Sequence, residues 1–113
     1  MVVLEETFVP ELESKANDLI RSIEDKEYRG RVDKDARKIA WDAGQRFVFE
    51  EDVKDAERVL KAQDRIQAIE DSKYRPFIEA RSLEISREKM HRYVFLEDVL
   101  EAESELKCGE GYN

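Results

Sequence analysis

Apolar residues recur at three- and four-residue steps along most of this chain, the spacing that puts side chains on one face of an α-helix. Leu12, Ala16, Leu19, Ile20 and Ile23 form the first such stripe. Pro10 suits a first helical position, with Glu11 and Glu13 near the positive helix end. The stretch from Glu24 to Gly30 breaks the phase. Val32, Ala36, Ile39, Ala40 and Ala43 then share one face of a second helix, which Gly44 can end by taking a left-handed conformation. In "RFVFEEDV" four residues alternate through an extended turn before acidic residues open a third helix. Val53, Ala56, Leu60, Ile66 and Ile69 keep its phase, interrupted by the polar Gln63. With no Gly or Pro between Glu50 and Glu70, this helix should be continuous for about 20 residues, some 30 Å. Pro76 marks the next break. The pattern predicts an all-α chain with helices over 10–25, 31–43, 50–71, 77–91 and 96–107.

The chain repeats itself. A shift of 46 positions lays 19–61 on 65–107 without a gap and gives 17 identities in 43 positions. They include Ile20/Ile66, Ile23/Ile69, Asp25/Asp71, Tyr28/Tyr74, Arg29/Arg75, Ile39/Ile85, Arg46/Arg92, Phe49/Phe95, Asp52/Asp98, Val53/Val99 and Leu60/Leu106. A unit of about 45 residues is too small to bury its apolar faces alone. The expected architecture is therefore two fused three-helix units that share the central helix about a pseudo-twofold axis. They make a single domain over 1–113 with a flexible tail at 108–113, and Phe49 and Phe95 plug the contact between units.

Composition adds exclusions. There are 20 basic and 28 acidic side chains, one His and one Cys, for a formal charge of −8. No apolar run reaches the ~20 residues of a membrane span, and nothing near Met1 reads as a signal peptide. A cytoplasmic protein without a membrane partner is expected. One Cys cannot form an internal disulfide, and with one His it cannot close a structural zinc site.

Candidate chemistry is sparse. A catalytic His91 would need an orienting carboxylate and a nucleophile, yet its repeat counterpart is Gln45, so a helix-end polar role fits better. Cys108 reads as an ordinary thiol in the tail. The runs Glu50-Glu51-Asp52, Glu101-Ala102-Glu103 and Glu5-Glu6 lack the spacing of a calcium loop and read as helix openings or solvated faces. Arg46 with Asp52, and Arg92 with Asp98, flank the same turn in each unit, where an Arg–carboxylate clamp would brace it. No catalytic, metal or cofactor site is expected, and the chain is not read as an enzyme.

Two surfaces invite binding. Trp41 is Arg87 in the other unit, which places it toward the outside, where a Trp makes a fair interface anchor. With Tyr28, Arg31 and Arg37 it forms a candidate protein-docking surface. Arg29, Arg31, Lys34 and Lys38 are candidate phosphate contacts for nucleic acid, although Asp33, Asp35 and Asp42 interleave with them.

The segment "YRGRVDKDARKIAWDAGQRFVFEEDVKDA" resembles the small helical module at the C-terminus of the light-independent protochlorophyllide reductase large subunit. Arg29, Arg31, Ala43-Gly44, Val48, Asp52-Val53 and Ala56 carry the likeness, while Phe49 and Phe95 stand where that module has Thr. The same turn is similar to the last loop and helix of archaeal histones. The first resemblance implies a compact module that packs on a larger protein or on itself, and more remotely tetrapyrrole or other flat-ligand binding; by residue type alone, Trp41, Tyr28 and Tyr74 could line a pocket for a flat apolar ligand. The second implies a histone-like nucleic-acid binder.

Overall fold

The computed structural model describes residues 10–110, and side chains as far as Leu106. Among these residues the fold is predominantly α-helical, with five helices and one minimal sheet. In order they are β1 (Glu11–Leu12), α1 (Ser14–Arg21), α2 (Lys26–Asp42), β2 (Phe47–Val48), α3 (Glu50–Gln67), α4 (Tyr74–Glu88) and α5 (Leu96–Glu110). The chain divides into two compact units between Glu57 and Arg58, inside α3.

In the first unit the helix expected from Pro10 begins only at Ser14. Glu11 and Leu12 instead run parallel to Phe47 and Val48. The N–H groups of Glu11 and Glu13 reach the Arg46 and Val48 carbonyls at 3.2 and 2.9 Å, so they need no helix start. Glu13 then caps α1, its side chain accepting from Lys15 N at 3.1 Å.

The second helix starts at Lys26, five residues earlier than the apolar phase suggests, and Gly30 lies inside it. The cause is Asp25, whose Oδ1 accepts from the Glu27 and Tyr28 N–H groups at 2.9 and 3.2 Å. Helix α2 ends where Gly44 predicts, with φ +74°. Gly44 N donates to Trp41 O and Gln45 N to Ala40 O, both at 2.9 Å, the paired bonds of a Schellman end. Ala16, Ile20, Val32, Ala36, Ile39, Ala40, Val48, Val53 and Ala56 are buried.

The second unit repeats these devices 46 residues on. Asp71 Oδ1 accepts from Lys73 and Tyr74 N–H at 2.8 and 3.2 Å, in the turn between the end of α3 at Gln67 and the start of α4 at Tyr74, both earlier than expected. Pro76 does not mark the break; it sits in the first turn of α4, where a missing N–H is harmless. In both units an arginine closes the loop before the long helix. Arg29 Nε donates to Ile23 O at 2.8 Å and Arg75 Nε to Ile69 O at 3.1 Å. Ile78, Ile85, Val99, Ala102 and Ala62 form the core here, with Ile66, Ile69, Tyr74, Val94 and Leu106 against it. Ala62 supplies the inward position on α3, and Gln63 is exposed.

Helix α5 continues to Glu110, so residues 108–110 are helical and not tail. The rest of the expected tail, and the Glu5-Glu6 run, lie outside the described residues. No helix among them is long and apolar enough to cross a membrane.

Candidate functional site

The turn before each unit's last helix is built the same way. Asp52 stands at the third position of α3, and its Oδ2 accepts from Phe49 N at 2.8 Å; Asp98 in α5 accepts from Phe95 N at 3.0 Å. This is the return half of a capping box, in which an acidic residue on the first turn satisfies the N–H of the capping residue.

The expected arginine clamp is corrected in its partner. The side chains bonded to these carboxylates are Gln45, whose Nε2 donates to Asp52 Oδ2 at 2.7 Å, and His91, whose Nδ1 lies 3.0 Å from Asp98 Oδ2. Each stands one residue before Arg46 or Arg92, because the left-handed residue ending the preceding helix turns the next side chain inward. Asp98 is wholly buried, with the Lys89 ammonium 3.8 Å from its other oxygen.

Of the candidate docking residues, Trp41 is 45% exposed and Arg31 is exposed, whereas Tyr28 is half-buried. Arg37 is committed within the unit, its Nε to Asp33 Oδ1 at 2.6 Å and its Nη1 to Pro10 O at 2.8 Å. Of the candidate phosphate contacts, Arg29 is tied to Ile23 O, and Lys34 and Lys38 are exposed. Of these candidates Arg31, Lys34, Lys38 and Trp41 are exposed on α2, at steps of three, four and three residues, hence one stripe, which the exposed Glu27 extends four residues before Arg31. Tyr74, a candidate for flat-ligand contact, packs on the core of its own unit.

The sequence reading missed the surroundings of Phe49. Phe95 is 7% exposed, but Phe49 is 46% exposed and so is no plug. It opens on a hollow of about 430 Å³ lined by Glu13, Lys15, Gln45, Phe49, Glu50, Glu51 and Asp52. A second hollow of about 350 Å³ lies beside Trp41, Gly44, Gln45 and Arg46. Phe95 is covered by the Arg58 guanidinium, a contact that alignment of 19–61 on 65–107 does not reveal, since Arg58 there pairs with Ser104.

The second unit is closed by charge pairs. Arg65 Nε reaches Glu103 Oε2 at 2.8 Å, Arg81 reaches Glu105 at 2.9 Å, and Lys89 reaches Glu101 at 3.2 Å. The bond to Glu105 raises the Arg81 pKa, and the bond to Glu101 raises that of Lys89, against the opposing cost of desolvation. Among the described residues no three His, Cys, Asp or Glu side chains converge as a metal site. No protein-family model matches the chain, and neither a curated protein nor a solved structure matches it.

Proposed function

We propose that this protein is a non-enzymatic interaction module that docks a protein partner on the exposed stripe of α2. The observation that carries this reading is the contrast between the repeats. The capping aspartates, the loop-closing arginines and the buried Val, Ile and Ala positions recur 46 residues apart, since the fold needs them twice. Arg31, Lys34, Lys38 and Trp41 become Phe77, Ala80, Glu84 and Arg87, all exposed as well. The helix pair therefore forms with other side chains at those four positions, so their identity is not dictated by the fold. A Trp flanked by three cations fits an acidic amphipathic segment, with the ring as anchor and the cations setting approach and register. The likeness to a reductase's C-terminal module agrees with a docking role.

Affinity capture from native extract tests this, comparing wild type with Trp41→Ala and with Leu83→Ala as an exposed control on the other unit. A partner retained by wild type and Leu83→Ala but lost by Trp41→Ala is the expected result. Equal recovery by all three overturns the reading.

A second reading, nucleic-acid binding in the manner of a histone, is favoured by the alignment of Arg31, Lys34 and Lys38 on one exposed stripe. Phosphate contacts are strongest at low salt, so a gel shift at ~50 mM salt that vanishes in Lys34→Glu/Lys38→Glu supports it, and no shift there ends it.

A further inference from the structure

In the second unit the ring of Phe95 and the carboxylate of Glu97 together hold a guanidinium. The Arg58 guanidinium carbon stands 4.0 Å from the Phe95 ring centroid. Its Nε donates to Glu97 Oε1 at 3.0 Å, and its Nη2 donates to the same oxygen. A flat cation lies on the ring face while its edge meets a carboxylate two residues on.

The first unit has the same ring and the same carboxylate. Phe49 and Glu51 stand 46 positions before Phe95 and Glu97, on a helix start fastened by the same Asp-to-N–H bond. Among the described residues no guanidinium lies over Phe49 as Arg58 lies over Phe95. Phe49 is left 46% exposed beside the hollow of about 430 Å³. The other charged walls are already engaged: Asp52 with Gln45 and Phe49 N, Glu13 with Lys15 N, Glu50 with Lys54 at 3.9 Å. Glu51 is exposed and has no partner among the described residues. Lys15 is the one cation on the wall, so the surroundings stay acidic.

We propose that the Phe49–Glu51 hollow binds one arginine side chain from a partner protein, in the way Phe95 and Glu97 bind Arg58. Arginine is preferred to lysine because a planar guanidinium can stack on a ring and donate to a carboxylate at once, whereas an ammonium is a hydrated point charge. This site does not rest on the α2 stripe, and either reading can fail alone.

The test titrates the isotope-labelled full chain with N-acetyl-arginine amide and follows the Phe49 ring and Glu51 by NMR. Saturable shifts at both residues are expected, at least several-fold weaker with N-acetyl-lysine amide and absent with the neutral citrulline analogue. Phe49→Leu and Glu51→Gln should each abolish them while the remaining spectrum shows an intact fold. Trp41→Ala should leave them unchanged. No shift at Phe49 and Glu51, or an equal response to the lysine or citrulline probe, overturns the proposal.

Discussion

Gly44 and Met90 stand 46 positions apart and share a left-handed backbone, with φ of +74° and +62°. Both end a long helix by the same paired bonds, Met90 N to Arg87 O at 3.0 Å and His91 N to Ser86 O at 2.8 Å in the second case. Glycine takes this conformation freely, whereas a residue with a Cβ is strained there by roughly 1 kcal/mol. Met90 is 91% exposed and gains little by packing. Met90→Gly should therefore stabilise the protein by about 1 kcal/mol, a rise of several degrees in thermal melting. Gly44→Ala should cost a similar amount, since nothing lies within 4 Å of the added Cβ and only the backbone objects.

Gly30 gives the opposite sign in the same open space. It lies inside α2, is exposed, and an added Cβ would meet nothing within 4 Å. Its φ is not left-handed, so only the helix-interior cost of glycine applies. Gly30→Ala should stabilise by about 0.5–1 kcal/mol in urea denaturation, and a loss of stability would show that α2 needs flexibility there.

The contrast explains what the sequence could show. The repeat, the five helices and the end of α2 at Gly44 were legible, because spacing and a left-handed residue act locally. The helix starts were not. Apolar phase cannot register that Asp25 and Asp71 each satisfy two N–H groups, and those bonds fix where α2 and α4 begin. Strand β1 depends on β2, 36 positions away, which no local pattern reveals. At the site, Trp41 was placed outward correctly, but charge pairing alone suggested Arg46 and Arg92 for bonds that Gln45 and His91 make. Phe49 and Phe95 looked alike; only the covering by Arg58 separates them.

Asp98 is wholly buried, with bonds to Phe95 N and the His91 ring, while Asp52 is 7% exposed with bonds to Phe49 N and Gln45. Asp98→Ala leaves a helix-start N–H and an imidazole without their anion in a dry site, at a cost of about 2–3 kcal/mol. Asp52→Ala should cost less, about 1–2 kcal/mol, since water can reach the vacated groups. Equal losses in denaturant titration would contradict this ordering.

Lys89 gives a pH dependence of known sign. Its bond to Glu101 raises its pKa above the ordinary 10.5 in the folded state. A group with a raised folded pKa contributes stability that is complete below its unfolded pKa and is lost as pH rises through the folded one. Melting curves should therefore show wild type losing stability above about pH 10.5 more steeply than Lys89→Met, with parallel behaviour near neutrality. The head group is exposed, so the difference should be small and shrink with salt. A Lys89→Met curve that falls as steeply as wild type would refute the linkage.

The two turns divide one task differently, which makes a coupling measurable. Gln45 Nε2 donates to Asp52 Oδ2 at 2.7 Å and to Phe47 O at 3.1 Å. In the second unit His91 serves Asp98, and the equivalent carbonyl, Tyr93 O, accepts instead from Ser86 Oγ at 2.8 Å. A histidine Nδ1 has one hydrogen to give and a primary amide has two, so a second donor is needed only where His replaces Gln. Ser86 is buried, and its counterpart is the apolar Ala40. Ser86→Ala alone should cost about 1–2 kcal/mol by removing a donor from a shielded carbonyl. His91→Gln alone should stay within about 1 kcal/mol. In Ser86→Ala/His91→Gln the new amide can serve Asp98 and Tyr93 O together, as Gln45 serves their counterparts. The double variant should recover about 1 kcal/mol relative to the sum of the singles, read as the interaction energy of a double-mutant cycle. Strict additivity would mean that the two turns share a backbone but not a hydrogen-bond logic.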